Sequence, residues 1–159
     1  MMAKTIAIIG AGPGVGLAIA EKFGLQGFNV ALLSRNTDNL APLQSKLQAK
    51  GITAGIFKVD ILDRDSINRA LHQVIDEYGA IDVLEFSPSP AWETLRAPRN
   101  IDVENEQYHL DFQVLSAITA VQTVLPQMVG RKSGSILFTT ASAAQHPNFV
   151  TASFPHTSG

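Results

Sequence analysis

Cysteine is absent from this 159-residue chain. That excludes disulfides and thiolate chemistry and says little about compartment. Charge is sparse: 12 Lys and Arg stand against 14 Asp and Glu, for a net charge of −2. The basic excess that draws a chain to nucleic acid or to an anionic membrane is missing, so neither partner is expected. The apolar run near the start, Ile6 to Ile9, gives way at once to glycine. It is too short for a signal-peptide core or a membrane span, which makes the cytoplasm the expected location. The four histidines have no metal-ligand spacing, so no metal is expected. Internal repeats and low-complexity segments are lacking too.

What is present is ordinary globular material. Hydrophobic residues make up 45% of the chain, which argues against disorder. The length suits one domain able to bury roughly two-thirds of its unfolded surface. β-rich runs alternate with helical periods. Ile6–Ile9, Asn29–Leu33, Thr53–Val59, Ile81–Phe86 and Ile136–Thr140 read as strands. Val15–Leu25, Leu40–Lys50, a segment capped by Asp63 and stopped by Gly79, and a long stretch from Val103 to about Val129 read as helices. Pro126 is expected to kink the last helix or to mark its final turn. Ser87 to Asn100 holds three prolines and reads as a loop.

Strict strand–helix alternation predicts an α/β fold: a Rossmann-like, doubly wound parallel sheet of order 3-2-1-4-5. Residues 1–142 form the expected single domain and 143–159 an irregular tail. The crevice at the carboxyl ends of strands one and four is the expected ligand site.

The sharpest motif is Gly10-Ala11-Gly12-Pro13-Gly14-Val15-Gly16, between the first strand and the first helix. Residues without a side chain let the backbone approach a pyrophosphate, and the N–H groups of the helix start point at it, aided by the helix dipole. At the end of the second strand stands Ser34-Arg35-Asn36, where an NAD site usually carries a carboxylate. Arg35 suits a 2′-phosphate, and Ser34 and Asn36 can hydrogen-bond it, so NADP(H) is the expected cofactor. The other reading of Arg35 is a solvated surface side chain. Asp38 is expected to cap the next helix rather than to hold a ribose.

The glycines at 10, 14 and 16 are spaced G-x-x-x-G-x-G, and here the chain resembles the short-chain dehydrogenase/reductase family, with a likeness reaching Ser142. The resemblance implies an oxidoreductase that moves hydride between NADP(H) and a small-molecule carbonyl or alcohol substrate. It puts Asp60 and Ile61 beside the adenine, although Asp60 also reads as a turn residue leading into the third helix. It puts Ser87 beside the nicotinamide ribose, within Glu85-Phe86-Ser87-Pro88 where the family has Asn-Asn-Ala-Gly. Counting back from Pro126 puts the family's active-site amide at Gln113. Counting forward from Gly134 puts its catalytic serine at Ala141, one residue before Ser142. Ser142 is therefore the candidate, with Thr139 and Thr140 as weaker ones, and the alternative is that these hydroxyls merely end a strand.

The family's Tyr-x-x-x-Lys would fall at Phe154 and Ser158, and phenylalanine cannot carry a proton. Loss of a general acid typically costs around 10²- to 10⁴-fold in rate. Two explanations stand: a fragment of a longer protein, or divergence past Gln145. A non-catalytic NADP(H)-binding module is the competing function. His146 and His156 read as surface residues, and Trp92 as an anchor for the proline-rich loop. The resemblance also implies a dimer or tetramer built on the fifth and sixth helices.

Overall fold

A computed structural model of the chain describes residues 3–88 and 98–139. Five parallel strands form one sheet of order β3-β2-β1-β4-β5, as the alternation predicts. They are β1 (Thr5–Ile9), β2 (Asn29–Ser34), β3 (Ala54–Lys58), β4 (Val83–Phe86) and β5 (Ser135–Phe138). All five residues of β1 are buried, the mark of a central parallel strand covered on both faces. The helices are α1 (Val15–Gly24), α2 (Ala41–Ala49), α3 (Arg64–Tyr78), α4 (Val103–His109) and α5 (Ser116–Arg131).

Alternate residues of each strand face opposite layers. Ala7, Ile9, Leu33 and Leu84 pack with Ile67, Leu71 and Val74 of α3 and Ala120, Val124 and Met128 of α5. Ile6, Ile8, Leu32 and Val83 pack with Ala20 of α1 and Leu43 and Leu47 of α2. The stretch Val103–Arg131 is long and apolar enough to cross a membrane by length and composition. Here its inward residues belong to the first of these two cores.

Local chemistry sets the helix ends. The Asp63 side chain accepts hydrogen bonds from the backbone N–H groups of Asp65 and Ser66, at 3.0 and 3.3 Å, and so caps α3. Gly79, at φ 88°, ends it.

Three expectations need correction. The long helix is interrupted: a π-helical stretch, Leu110–Leu115, separates α4 from α5. Pro126 lies inside α5, which runs on to Arg131, so it does not mark the final turn. Hydroxyls cluster after the wide turn, where Ser116 donates to the Phe112 carbonyl and Thr119 to that of Leu115. Finally, β5 begins at Ser135 and ends at Phe138, with Thr139 already past it.

Candidate functional site

The strands finish level with one another. Ile9 pairs with both Leu33 and Phe86, and Phe86 pairs with Phe138. The residues that follow them, Gly10, Ser34, Ser87 and Thr139, therefore lie along one edge of the sheet. A cavity of about 610 Å³ opens there. Its walls include all twelve residues that sequence reasoning assigns to the cofactor: Gly10, Gly12, Pro13, Gly14, Val15, Gly16, Ser34, Arg35, Asn36, Asp60, Ile61 and Ser87.

The glycines differ in what they do. Gly10 has φ +86°, and a Cβ there would come within 2.5 Å of the Pro88 backbone. Its role is to let β1 turn against the end of β4. A Cβ on Gly16 would press on the Ala11 Cα at 3.3 Å. Gly12 and Gly14, in contrast, would direct a Cβ into open space. The N–H groups of Gly10 and Ala11 both donate to the Leu33 carbonyl, at 2.9 and 3.3 Å, so they are not part of an anion cradle. Those of Gly12, Gly14, Val15 and Gly16 have no acceptor among the described residues. Unpaired N–H groups at the start of a helix, with bare backbone beside them, suit an anionic group.

Across the turn, Arg35 is exposed and has no acidic partner among the described residues. The Asn36 side-chain oxygen accepts the Asp38 N–H at 3.1 Å and caps a short 3₁₀ turn, Thr37–Asn39. Asp38 therefore does not cap a helix; Asn36 does, which leaves its amide N–H₂ as the part able to bind a ligand.

Asp60 serves a local turn while it lines the cavity. One carboxylate oxygen accepts the Leu62 N–H at 3.1 Å, and its own N–H donates to the Ser66 hydroxyl at 2.8 Å. Ser87 is anchored through its N–H to the Ile9 carbonyl at 2.9 Å. Its hydroxyl oxygen is buried, with no hydrogen-bond partner among the described residues. An unpaired buried hydroxyl at a cavity wall fits a polar group arriving from outside. N–H groups, a hydroxyl and an arginine that all lack partners among the described residues together fit a phosphate-bearing dinucleotide.

The remaining assignments divide. Gln113 sits half-buried in the π-helical stretch and is not among the cavity-lining residues. Ser142, Thr140, Ala141, His146, Phe154, His156, Ser158 and Trp92 lie outside the described residues.

Sequence reasoning missed Tyr108 and Phe112, which also line the cavity. Their rings stack with centroids 5.6 Å apart. The available signal was their separation of four residues on one helix, which puts two aromatics on one face. It also missed Glu85, a buried carboxylate within β4 that accepts a hydrogen bond from the Thr139 hydroxyl.

A family model described as short chain dehydrogenase matches residues 4–155. A short chain dehydrogenase of Pseudocercospora fijiensis is 26% identical over 156 residues, 97% of this chain and 50% of that protein. The chain spans about half the length of the curated relatives it matches. Among solved structures, actinorhodin polyketide ketoreductase with NADPH superposes with a TM-score of 0.86 at 21% identity, over 97% of this chain and 60% of that one. The 7α-hydroxysteroid dehydrogenase complexed with NADH and 7-oxo glycochenodeoxycholic acid gives 0.86 at 25% identity, over 96% and 59%. Fold, glycine turn and family match agree, and the chain belongs to the short-chain dehydrogenase family.

Proposed function

We propose that the chain is the cofactor-binding part of an NADP(H)-dependent oxidoreductase acting on a small-molecule carbonyl or alcohol. The observation that carries this reading is the set of N–H groups at Gly12, Gly14, Val15 and Gly16, with the Arg35 guanidinium across the same cavity, none of which has a partner among the described residues. The first suits a diphosphate and the second a 2′-phosphate. The nicotinamide of the bound cofactor supplies the hydride, while the protein positions and shields it. Ser34 and the Asn36 amide share the 2′-phosphate with Arg35. Asp60 and Ile61 flank the adenine, and Ser87 meets a ribose hydroxyl. Ser142 polarises the substrate oxygen. Titrating NADPH and NADH against nicotinamide fluorescence tests the cofactor. Tighter NADH binding would overturn the role of Arg35.

A second reading, an NADP(H)-binding module without turnover, is favoured by one observation. The chain's two tyrosines are Tyr78 and Tyr108, and the spacing from Ala141 reaches Phe154 and Ser158 instead of tyrosine and lysine. Incubation with NADPH and a panel of ketones and aldehydes separates the two readings. Turnover above background supports the enzyme, and turnover that survives Ser142→Ala refutes the serine's role.

Self-association through α5 completes the proposal. Ile118, Leu125 and Val129 are 48%, 42% and 65% exposed on that helix, an apolar stripe suited to a second copy. Sedimentation should show a dimer or tetramer that Val129→Glu dissociates.

A further inference from the structure

The cavity has two chemically different ends. Among the described residues that line it, the charged side chains are those of Arg35 and Asp60, which follow β2 and β3. The end beyond β1 is walled by Ser87, Pro88, Tyr108, Phe112 and Thr139, none of them charged. The Glu85 carboxylate of β4 does not alter this, since it is 1% exposed and accepts the hydrogen bond of the Thr139 hydroxyl. A charged ligand group at this end would shed its water with no charge on the described walls to replace it.

The two aromatic residues of this end are arranged in advance. Tyr108 stands in the last turn of α4, and Phe112 lies in the π-helical stretch Leu110–Leu115. Four residues apart, they share one face of the helical run. Their rings stack, 27° from parallel, with centroids 5.6 Å apart. The ring of His109, which is fully buried, meets Tyr108 edge-on at 5.3 Å and holds it from behind. Tyr108 and Phe112 are each half-buried, so both are supported by the fold and still reach the cavity.

Two supported rings reward one kind of ligand above others. An aromatic ring can continue the stack or meet it edge-on, and such pairs gain more than the area they bury. A saturated ring of the same size gains burial alone. A flexible chain also gives up rotamer freedom when it is held against a wall. With the 2′-phosphate at Arg35 and the diphosphate at the turn after β1, the reacting half of the cofactor and the compound it acts on lie on this uncharged side.

We propose that Tyr108 and Phe112 determine specificity, and that the substrate is an uncharged aromatic carbonyl or alcohol compound, such as an aryl ketone. This rests on the dinucleotide reading above.

The test loads the chain with NADP⁺, which cannot reduce a ketone, and titrates two probes: acetophenone and cyclohexyl methyl ketone. They share the acetyl group and differ in whether the ring is aromatic. Dissociation constants are read from the backbone amide signals. Acetophenone should bind roughly two- to tenfold more tightly. Phe112→Leu keeps an apolar side chain and removes the ring. It should abolish the preference and leave NADP⁺ affinity unchanged. Tyr108→Phe keeps the ring and should keep the preference, whereas Tyr108→Leu should lose it. Equal affinity of the two ketones for the unaltered chain, or binding of neither, overturns the proposal. A fall in NADP⁺ affinity in Phe112→Leu would assign the rings to the cofactor and overturn it too. Loss of the preference in Tyr108→Phe would give selection to the hydroxyl and overturn the role of the ring pair. If Phe112→Leu does not fold, the two Tyr108 variants decide by the same outcomes. Should NADP⁺ itself not bind the unaltered chain, it is the dinucleotide reading that has failed, and the proposal falls with it.

Discussion

Gly10 and Pro88 meet where β1 and β4 run out: a Cβ on Gly10 would lie 2.5 Å from both the Cα and the N of Pro88. The clash involves backbone, and the φ of +86° is strained for any other residue. Gly10→Ala should therefore destabilise the fold by roughly 2–4 kcal/mol. In a domain of this size that lowers the thermal midpoint by roughly 5–15 °C. Gly12→Ala is the contrast. Its Cβ points into open space, so the midpoint should stay within about 3 °C, while NADPH affinity falls at least roughly tenfold. Calorimetry and a binding titration on the two variants separate a folding glycine from a binding one.

Arg35 should discriminate between the two nicotinamide cofactors. Charge-assisted hydrogen bonds to a 2′-phosphate are worth roughly 1.5–3 kcal/mol. Arg35→Ala should therefore weaken NADPH by roughly 10- to 100-fold and leave NADH unchanged, since NADH has no group for it. Fluorescence titration of both cofactors checks this, and an equal loss for both would assign Arg35 to the shared diphosphate instead.

At the opposite edge of the sheet, Asp82 ties three elements. Its side chain accepts the Thr5 N–H at 2.8 Å and an Arg131 N–H at 2.9 Å, and its backbone carbonyl accepts the Ser135 N–H at 2.9 Å. Asp82→Ala leaves the buried Thr5 N–H without a partner and should cost about 1–3 kcal/mol. Arg131 is 44% exposed, so Arg131→Ala should cost less than about 1 kcal/mol. Urea unfolding of both variants measures the difference.

Tyr78 gives a pH signature. Burial, and then the charge of Glu77, push its hydroxyl above the ordinary value of 10.0. The folded state holds that proton at pH values where the unfolded chain has released it. The stabilisation is full below the unfolded value and is lost as pH rises through the folded one. Unfolding midpoints should fall on the alkaline side of pH 10, and Tyr78→Phe should flatten that decline.

Much of this architecture can be read from residue order. Alternating β-rich and helical segments carry the strand order, because a parallel sheet needs a crossover between neighbours. Asp63 and Gly79 mark the ends of α3 by chemistry that acts within a few residues. The π-helical stretch at Leu110–Leu115 left no comparable trace, since a wide turn keeps an apolar period while shifting it by one residue. Glu85 was hidden for another reason: a lone carboxylate in an apolar strand reads as noise until Thr139, 54 residues later, is seen to hold it. The glycine turn was legible as a site, but not the division of labour within it. The acceptor taken by Gly10 and Ala11 is the Leu33 carbonyl, on a strand that local sequence does not connect to them.

The most direct test follows the backbone amides of the turn by nuclear magnetic resonance while NADPH is added. The account predicts that the N–H signals of Gly12, Gly14, Val15 and Gly16 shift on binding, while those of Gly10 and Ala11, already bonded to Leu33, move far less. Binding that leaves all four signals in place, or that shifts a different face of the sheet, would contradict it.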